Sequence, residues 1–143
     1  SWNLNFVLYF LKKTINYINK NLSGELSLEI IANSLYISRV SLNRKFREIM
    51  GCTVWEYVIR RRIYSARQRL FFGESITDAY EKSGFNDYSS FFRAYKKVVG
   101  LSPSEDLKKA KADWLQSAFL LLIKTYTWMI PIFPKEYPDH HST

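Results

Sequence analysis

The sequence predicts an all-α fold: two helix-turn-helix subdomains joined by a long linker helix, then a C-terminal extension of different character. Three observations carry this reading. Apolar residues recur at three- and four-residue spacing up to about residue 110, without strand alternation of any length. Residues suited to helix starts (Ser27, Ser38, Thr53, Ser75) and glycines suited to helix ends (Gly51, Gly73, Gly100) punctuate that pattern. Finally, a segment occurs twice. In "SLNRKFREIMG" (41–51) and "SFFRAYKKVVG" (90–100), Ser41, Leu42, Arg44, Phe46 and Gly51 align with Ser90, Phe91, Arg93, Tyr95 and Gly100, each pair 49 positions apart.

The first helix carries Val7, Leu11, Ile15, Ile18 and Leu22 as one apolar face and stops at Asn21–Gly24. Ser27 caps a short helix burying Leu28, Ile31, Ala32 and Leu35. After a turn at Tyr36–Ile37, Ser38 caps a helix that buries Leu42, Phe46 and Ile49 and ends near Gly51. Thr53 and Glu56 have the spacing of a capping box, in which each side chain satisfies the other's orphan backbone donor. They open a long helix with Ile59, Ile63, Ala66 and Leu70 inside, ended by Gly73. Ser75 and Asp78 resemble that cap and start a short helix through Ala79 and Tyr80, turning at Gly84. The next helix begins after Asn86 or Asp87, buries Phe91, Tyr95 and Val98, and closes at Gly100 and Pro103. Residues 104–112 are polar and permit a helix. From Trp114 onward the chain is strongly apolar. Lys124 interrupts this stretch, Pro131 and Pro134 would break any helix, and the last residues, "KEYPDHHST", are expected to be a disordered end. The expected domains are therefore 1–52 (first helix-turn-helix), 53–72 (linker helix), 73–112 (second helix-turn-helix) and 113–143 (apolar extension).

A chain of 143 residues can bury a real core, roughly two thirds of its unfolded surface. Its net charge of +8 favours a polyanionic partner, nucleic acid or an anionic membrane surface. Cys52 is the only cysteine, so no internal disulfide is available, which suits a reducing compartment. Asn5, Lys12 and Lys13 interrupt the N-terminal apolar residues, unlike a signal peptide. The opening at Ser1 instead of methionine suggests a piece of a longer protein.

Helical geometry gives the repeat its chemistry. With Leu42, Phe46 and Ile49 inward, Val40, Asn43, Arg44 and Arg47 share the opposite side; in the second copy Ser89, Phe92, Arg93 and Lys96 do so. Each outer face has a central arginine and a basic residue one turn later. Arginine pairs bidentately with guanine edges and asparagine with adenine, while Val40 or Phe92 can touch a thymine methyl. A single such helix reads best as a solvated basic face. Two of them, each after a short helix and a tight turn, read as a pair of helix-turn-helix units whose second helices enter the major groove.

The residues also resemble the DNA-binding domain of the AraC/XylS family of bacterial transcription regulators over about 5–110. The features carrying the resemblance in the second half are Tyr57, Arg62, Ala66, Leu70, Gly84–Phe85, Phe91, Arg93, Tyr95, Lys96, Gly100, Pro103 and Ser104. In the first half they are Leu28, Ile31–Ala32, Ser38, Leu42, Arg44, Phe46 and Gly51. The resemblance implies seven helices, binding of double-stranded DNA as a monomer across successive major-groove segments, RNA polymerase as a further partner, and a cytoplasmic, nucleoid-associated location. It assigns base contacts to Val40, Asn43, Arg44, Tyr88, Ser89, Phe92 and Arg93, and phosphate contacts to Ser38, Arg39, Arg47, Asn86 and Lys96. The family's sensor domain has no counterpart in these residues. The sequence departs from the family at Ala79–Tyr80, where large and small residues exchange places, at Tyr36 in a turn where small residues are usual, and at Phe92, where a small polar residue is common.

Other functions have less support. His140 and His141 lie in the last four residues, and no phosphate-binding glycine loop, metal-ligand spacing or nucleophile elbow is present. The chain is therefore expected not to be an enzyme and to need no metal or cofactor. Attachment to a membrane surface or partner protein through 114–134 is the alternative reading, since Lys124 and the two prolines argue against a spanning helix. A third is a helical bundle that binds RNA or protein, against which the arginines and asparagine of the groove faces argue.

Overall fold

A computed structural model describes residues 3–126. The described residues form seven helices: α1 (Leu4–Lys20), α2 (Leu28–Ser34), α3 (Arg39–Met50), α4 (Val54–Phe71), α5 (Ile76–Lys82), α6 (Tyr88–Val99) and α7 (Pro103–Tyr126). The chain divides into two compact units, Ser1–Ser104 and Glu105–Thr143.

The expected caps are in place. Side-chain oxygens of Ser27, Ser38, Thr53 and Ser75 accept backbone N–H bonds in the first turns of α2, α3, α4 and α5. The capping box of α4 is complete: the Thr53 N–H donates to the Glu56 carboxylate at 2.7 Å, and the Glu56 N–H donates to Thr53 Oγ1 at 3.1 Å. These bonds, the backbone one foremost, hold the Glu56 carboxyl below its ordinary pKa. Of the two candidates before α6, Asp87 is the N-cap.

The first core joins Phe10 and Ile18 of α1, Ile31 and Ala32 of α2, and Leu42 and Phe46 of α3 to Cys52, Val54 and Val58. Farther along α4, which packs against α5 and α6, Ile63, Ala66 and Leu70 are buried. Phe91 centres a second aromatic group, edge-on to Phe85 at 5.5 Å and to Tyr95 at 5.4 Å. The long helix thus serves both halves.

Two inner faces are rotated from expectation. On α1 the buried stripe is Phe10, Thr14 and Ile18, while Val7, Leu11 and Ile15 are half-buried. Thr14 tolerates burial because its hydroxyl donates to the Phe10 carbonyl at 2.8 Å. On α4, Val58 and Arg62 are buried and Ile59 is only half-buried. Arg62 occupies the interior because two carbonyls from the α1–α2 loop receive it: Nε donates to Leu22 O at 3.0 Å and Nη2 to Gly24 O at 2.9 Å. Its guanidinium also lies 5.6 Å from the centre of the Trp55 ring. Burial lowers its pKa, and the charge is retained.

In the second unit, the polar stretch expected as 104–112 continues within α7 into the apolar one. Trp114, Leu115 and Phe119 to Ile123 are all exposed there. Among the described residues no helix is long and apolar enough to cross a membrane. Pro131, Pro134, His140, His141 and the expected disordered end lie outside the described residues.

Candidate nucleic-acid interface

The repeated segments become two helices of the same build. Both α3 and α6 have 12 residues. In α3 the Ser38 hydroxyl oxygen accepts the Ser41 N–H at 3.1 Å. In α6 the Asp87 carboxylate accepts the Ser90 N–H and the Ser90 hydroxyl, both at 2.8 Å. Those bonds, the backbone one first, hold the Asp87 carboxyl below its ordinary pKa, with Arg93 adding to the effect. Both helices end on a left-handed glycine, Gly51 at φ 74° and Gly100 at φ 86°. Each glycine N–H donates at 2.9 Å, to the carbonyls of Arg47 and Lys96 respectively.

Their inner faces are also alike. Leu42 and Phe46 in α3, and Phe91 and Tyr95 in α6, have no exposed surface. The outer faces present the expected cations: Arg44 and Arg47 on α3, Arg93 and Lys96 on α6, all exposed. Val40 is 77% exposed. Ser89 is exposed and Tyr88 is 46% exposed. Of the residues expected at phosphates, Ser38, Arg39 and Asn86 are exposed as well. Arg39 lies 4.0 Å from the Glu29 carboxylate, an exposed pair that holds it only weakly.

Two expected base contacts are half-buried. Asn43 turns its carbonyl oxygen inward, accepting the Val54 N–H at 3.1 Å. The Phe92 ring rests on Tyr88, with centroids 5.8 Å apart. Tyr88 in turn meets Tyr80 at 6.3 Å, and Tyr80 meets Phe91 at 5.7 Å. The exchange at Ala79–Tyr80 explains this chain of rings. Ala79 fills the fully buried position, and Tyr80 leans out from the half-buried one to support the start of α6. Tyr36, in the turn between α2 and α3, has φ 57° and is 96% exposed, a left-handed conformation costly for a residue with a Cβ.

Residues 31–109, over half of the chain, match the family profile described as a helix-turn-helix domain. A solved structure described as a transcriptional regulator with an AraC-type DNA-binding domain, from Chromobacterium violaceum, is 25% identical. It superposes with a TM-score of 0.66 over 71% of this chain and 92% of that one. The chain belongs to the AraC-type helix-turn-helix family. The HTH-type transcriptional activator AarP of Providencia stuartii is 36% identical over 89 residues, or 62% of this chain and 66% of AarP. The chain spans only 31% to 41% of three other curated regulators it matches. The DNA-binding domain of AdpA, solved with a target DNA, shares the fold at a TM-score of 0.67 and 21% identity, over 72% of this chain and 94% of that one.

Proposed function

We propose that this AraC-type domain is the DNA-binding part of a sequence-specific transcription regulator, and that it inserts α3 and α6 into successive major-groove segments. Those segments lie about 34 Å apart on one face of the duplex. One observation supports the reading above others: two helices with matching ends each bury one side and expose an arginine with a second cation one turn later. Val40 and Arg44 in α3, and Tyr88, Ser89, Phe92 and Arg93 in α6, face the bases. Ser38, Arg39, Arg47, Asn86 and Lys96 face phosphates, which orient the protein without specifying sequence. Such a regulator works on the nucleoid, in the cytoplasm, beside RNA polymerase.

The test is binding to duplexes selected from a random pool. Arg44→Ala and Arg93→Ala should each weaken specific binding by about 1–3 kcal/mol where the guanidinium meets a guanine. A loss at only one would confine base reading to that half. Affinity should fall steeply with salt as counterions are released, and a flat salt response would overturn the proposal.

A second reading concerns 114–134, where Trp114 to Ile123 carries seven large apolar side chains, each at least 42% exposed. These would attach the chain to a membrane surface or to a partner protein. Flotation with anionic vesicles should lift the full chain but not one ending at Ala112, whereas DNA binding should survive the truncation.

A further inference from the structure

We propose that Asn43 is a positioning residue that latches α3 to the linker helix, leaving base reading in the first half to Val40 and Arg44. The inference rests on the reading of α3 as a recognition helix.

The first turn of any α-helix holds backbone donors with no partner inside the helix. In α4 the capping box satisfies the Thr53 and Glu56 N–H groups. Val54, the first helical residue, has no exposed surface, so its donor needs an acceptor from the protein. Asn43 Oδ1 supplies it at 3.1 Å, from 11 residues upstream. Because the partner is an N–H, the amide must turn its oxygen to Val54. Bidentate recognition of adenine needs that same oxygen and the amide nitrogen together. With its oxygen turned in to the buried Val54 N–H and the side chain half-buried, Asn43 does not offer both amide atoms outward to an adenine edge.

The internal repeat supplies an independent argument. At the 49-residue offset, Asn43 corresponds to Phe92 and Val54 to Pro103, while Thr53 and Glu56 correspond to Ser102 and Glu105. Proline has no N–H. Where the second copy starts its following helix on a buried Pro103, no donor needs an acceptor, and the position on the recognition helix is an aromatic ring. Where the first copy starts on Val54, the donor exists and an asparagine meets it. The two positions differ together, as a donor–acceptor pair should.

The latch can be tested by crossing Asn43→Ala with Val54→Pro in the full chain. Proline is well tolerated at a first helical position, and it removes the donor. By amide hydrogen exchange, Val54 in Asn43→Ala should exchange about tenfold faster than in the wild type, the scale expected from one buried donor losing its partner. On selected duplexes the single variant should lose about tenfold in affinity, keep its base preference at every position, and better tolerate one base pair inserted between the half-sites. Val54→Pro removes the same bond from its donor side, so it should lower affinity and relax the spacing preference to the same degree, with no further change when combined with Asn43→Ala. Loss of an adenine preference at one position, or additive losses in the double variant, would overturn the proposal. If the wild-type chain selects no sequence at all, the reading of α3 fails. Val54 exchange then still decides the latch, faster exchange supporting it and unchanged exchange sinking it.

Discussion

Replacing Gly84 with alanine should break a direct contact between the two halves of the DNA-binding unit. Gly84 has φ 96°, and a Cβ there would lie 2.7 Å from the Leu22 carbonyl oxygen and 2.7 Å from Arg62 Nε. The turn before α6 therefore touches the α1–α2 loop directly, at the place where Arg62 reaches that loop from the linker helix. Left-handed backbone alone costs alanine about 1–2 kcal/mol. The Leu22 oxygen is backbone and gives little, so Arg62 must shift, endangering hydrogen bonds from a charged group worth about 1.5–3 kcal/mol each. Losing one brings the total to roughly 2.5–5 kcal/mol. Gly100 is the internal control: its φ is 86°, yet a Cβ would meet nothing within 4 Å, so Gly100→Ala should cost only the conformational part. Urea unfolding of both variants measures the difference, provided the slopes with denaturant stay equal. Equal losses for Gly84→Ala and Gly100→Ala would refute the idea that this contact joins the halves.

Tyr36→Gly should stabilise the unit by about 0.5–1 kcal/mol in the same experiment, since it relieves a left-handed residue whose ring is almost wholly in solvent. Phe46→Ala should cost about 3–5 kcal/mol, because the ring is fully buried and stacks edge-on with Tyr57 at 5.6 Å. The carboxyls of Glu56 and Asp87 have folded pKa values below their unfolded ones, so their contribution is complete above the ordinary carboxylate range and disappears as pH falls through it toward the lowered values. The urea midpoint should accordingly decline from about pH 4 downward, and less steeply in Glu56→Gln/Asp87→Asn.

Much of this architecture is legible from residue order because the signals are local. A serine or threonine three residues before a backbone donor, or a glycine at a left-handed helix end, acts within one turn, and Ser27, Ser38, Thr53, Gly51 and Gly100 all do so. The inner face of α1 is harder to read. Thr14 looks polar, and only its bond to its own helix makes it a core residue. Arg62 is more opaque still. Nothing in its neighbourhood announces that carbonyls 38 and 40 residues away will compensate for a buried charge. Asn43 is hard to read for a related reason: one amide can serve a base or a backbone donor, and sequence alone does not show that its oxygen meets the Val54 N–H.

The two copies show what duplication conserves and what it releases. Both keep the capped helix, the buried pair and the outward cations, since these define a recognition helix wherever it stands. The supports behind the helices have diverged. α3 meets the linker helix through the Asn43–Val54 bond and the Phe46–Tyr57 ring contact, whereas α6 sets its own Tyr88 and Phe91 against Tyr80 of α5. A hydrogen bond fixes direction and fails abruptly when either partner is lost; stacked rings tolerate sliding and fail by degrees. Substitutions behind α3 should therefore change the angle at which Arg44 is offered, and substitutions behind α6 should loosen Arg93 without redirecting it. On the proposed latch, the first half is the one in which a single exchange, Asn43 for any residue without an acceptor, should alter the spacing of sites that the domain accepts.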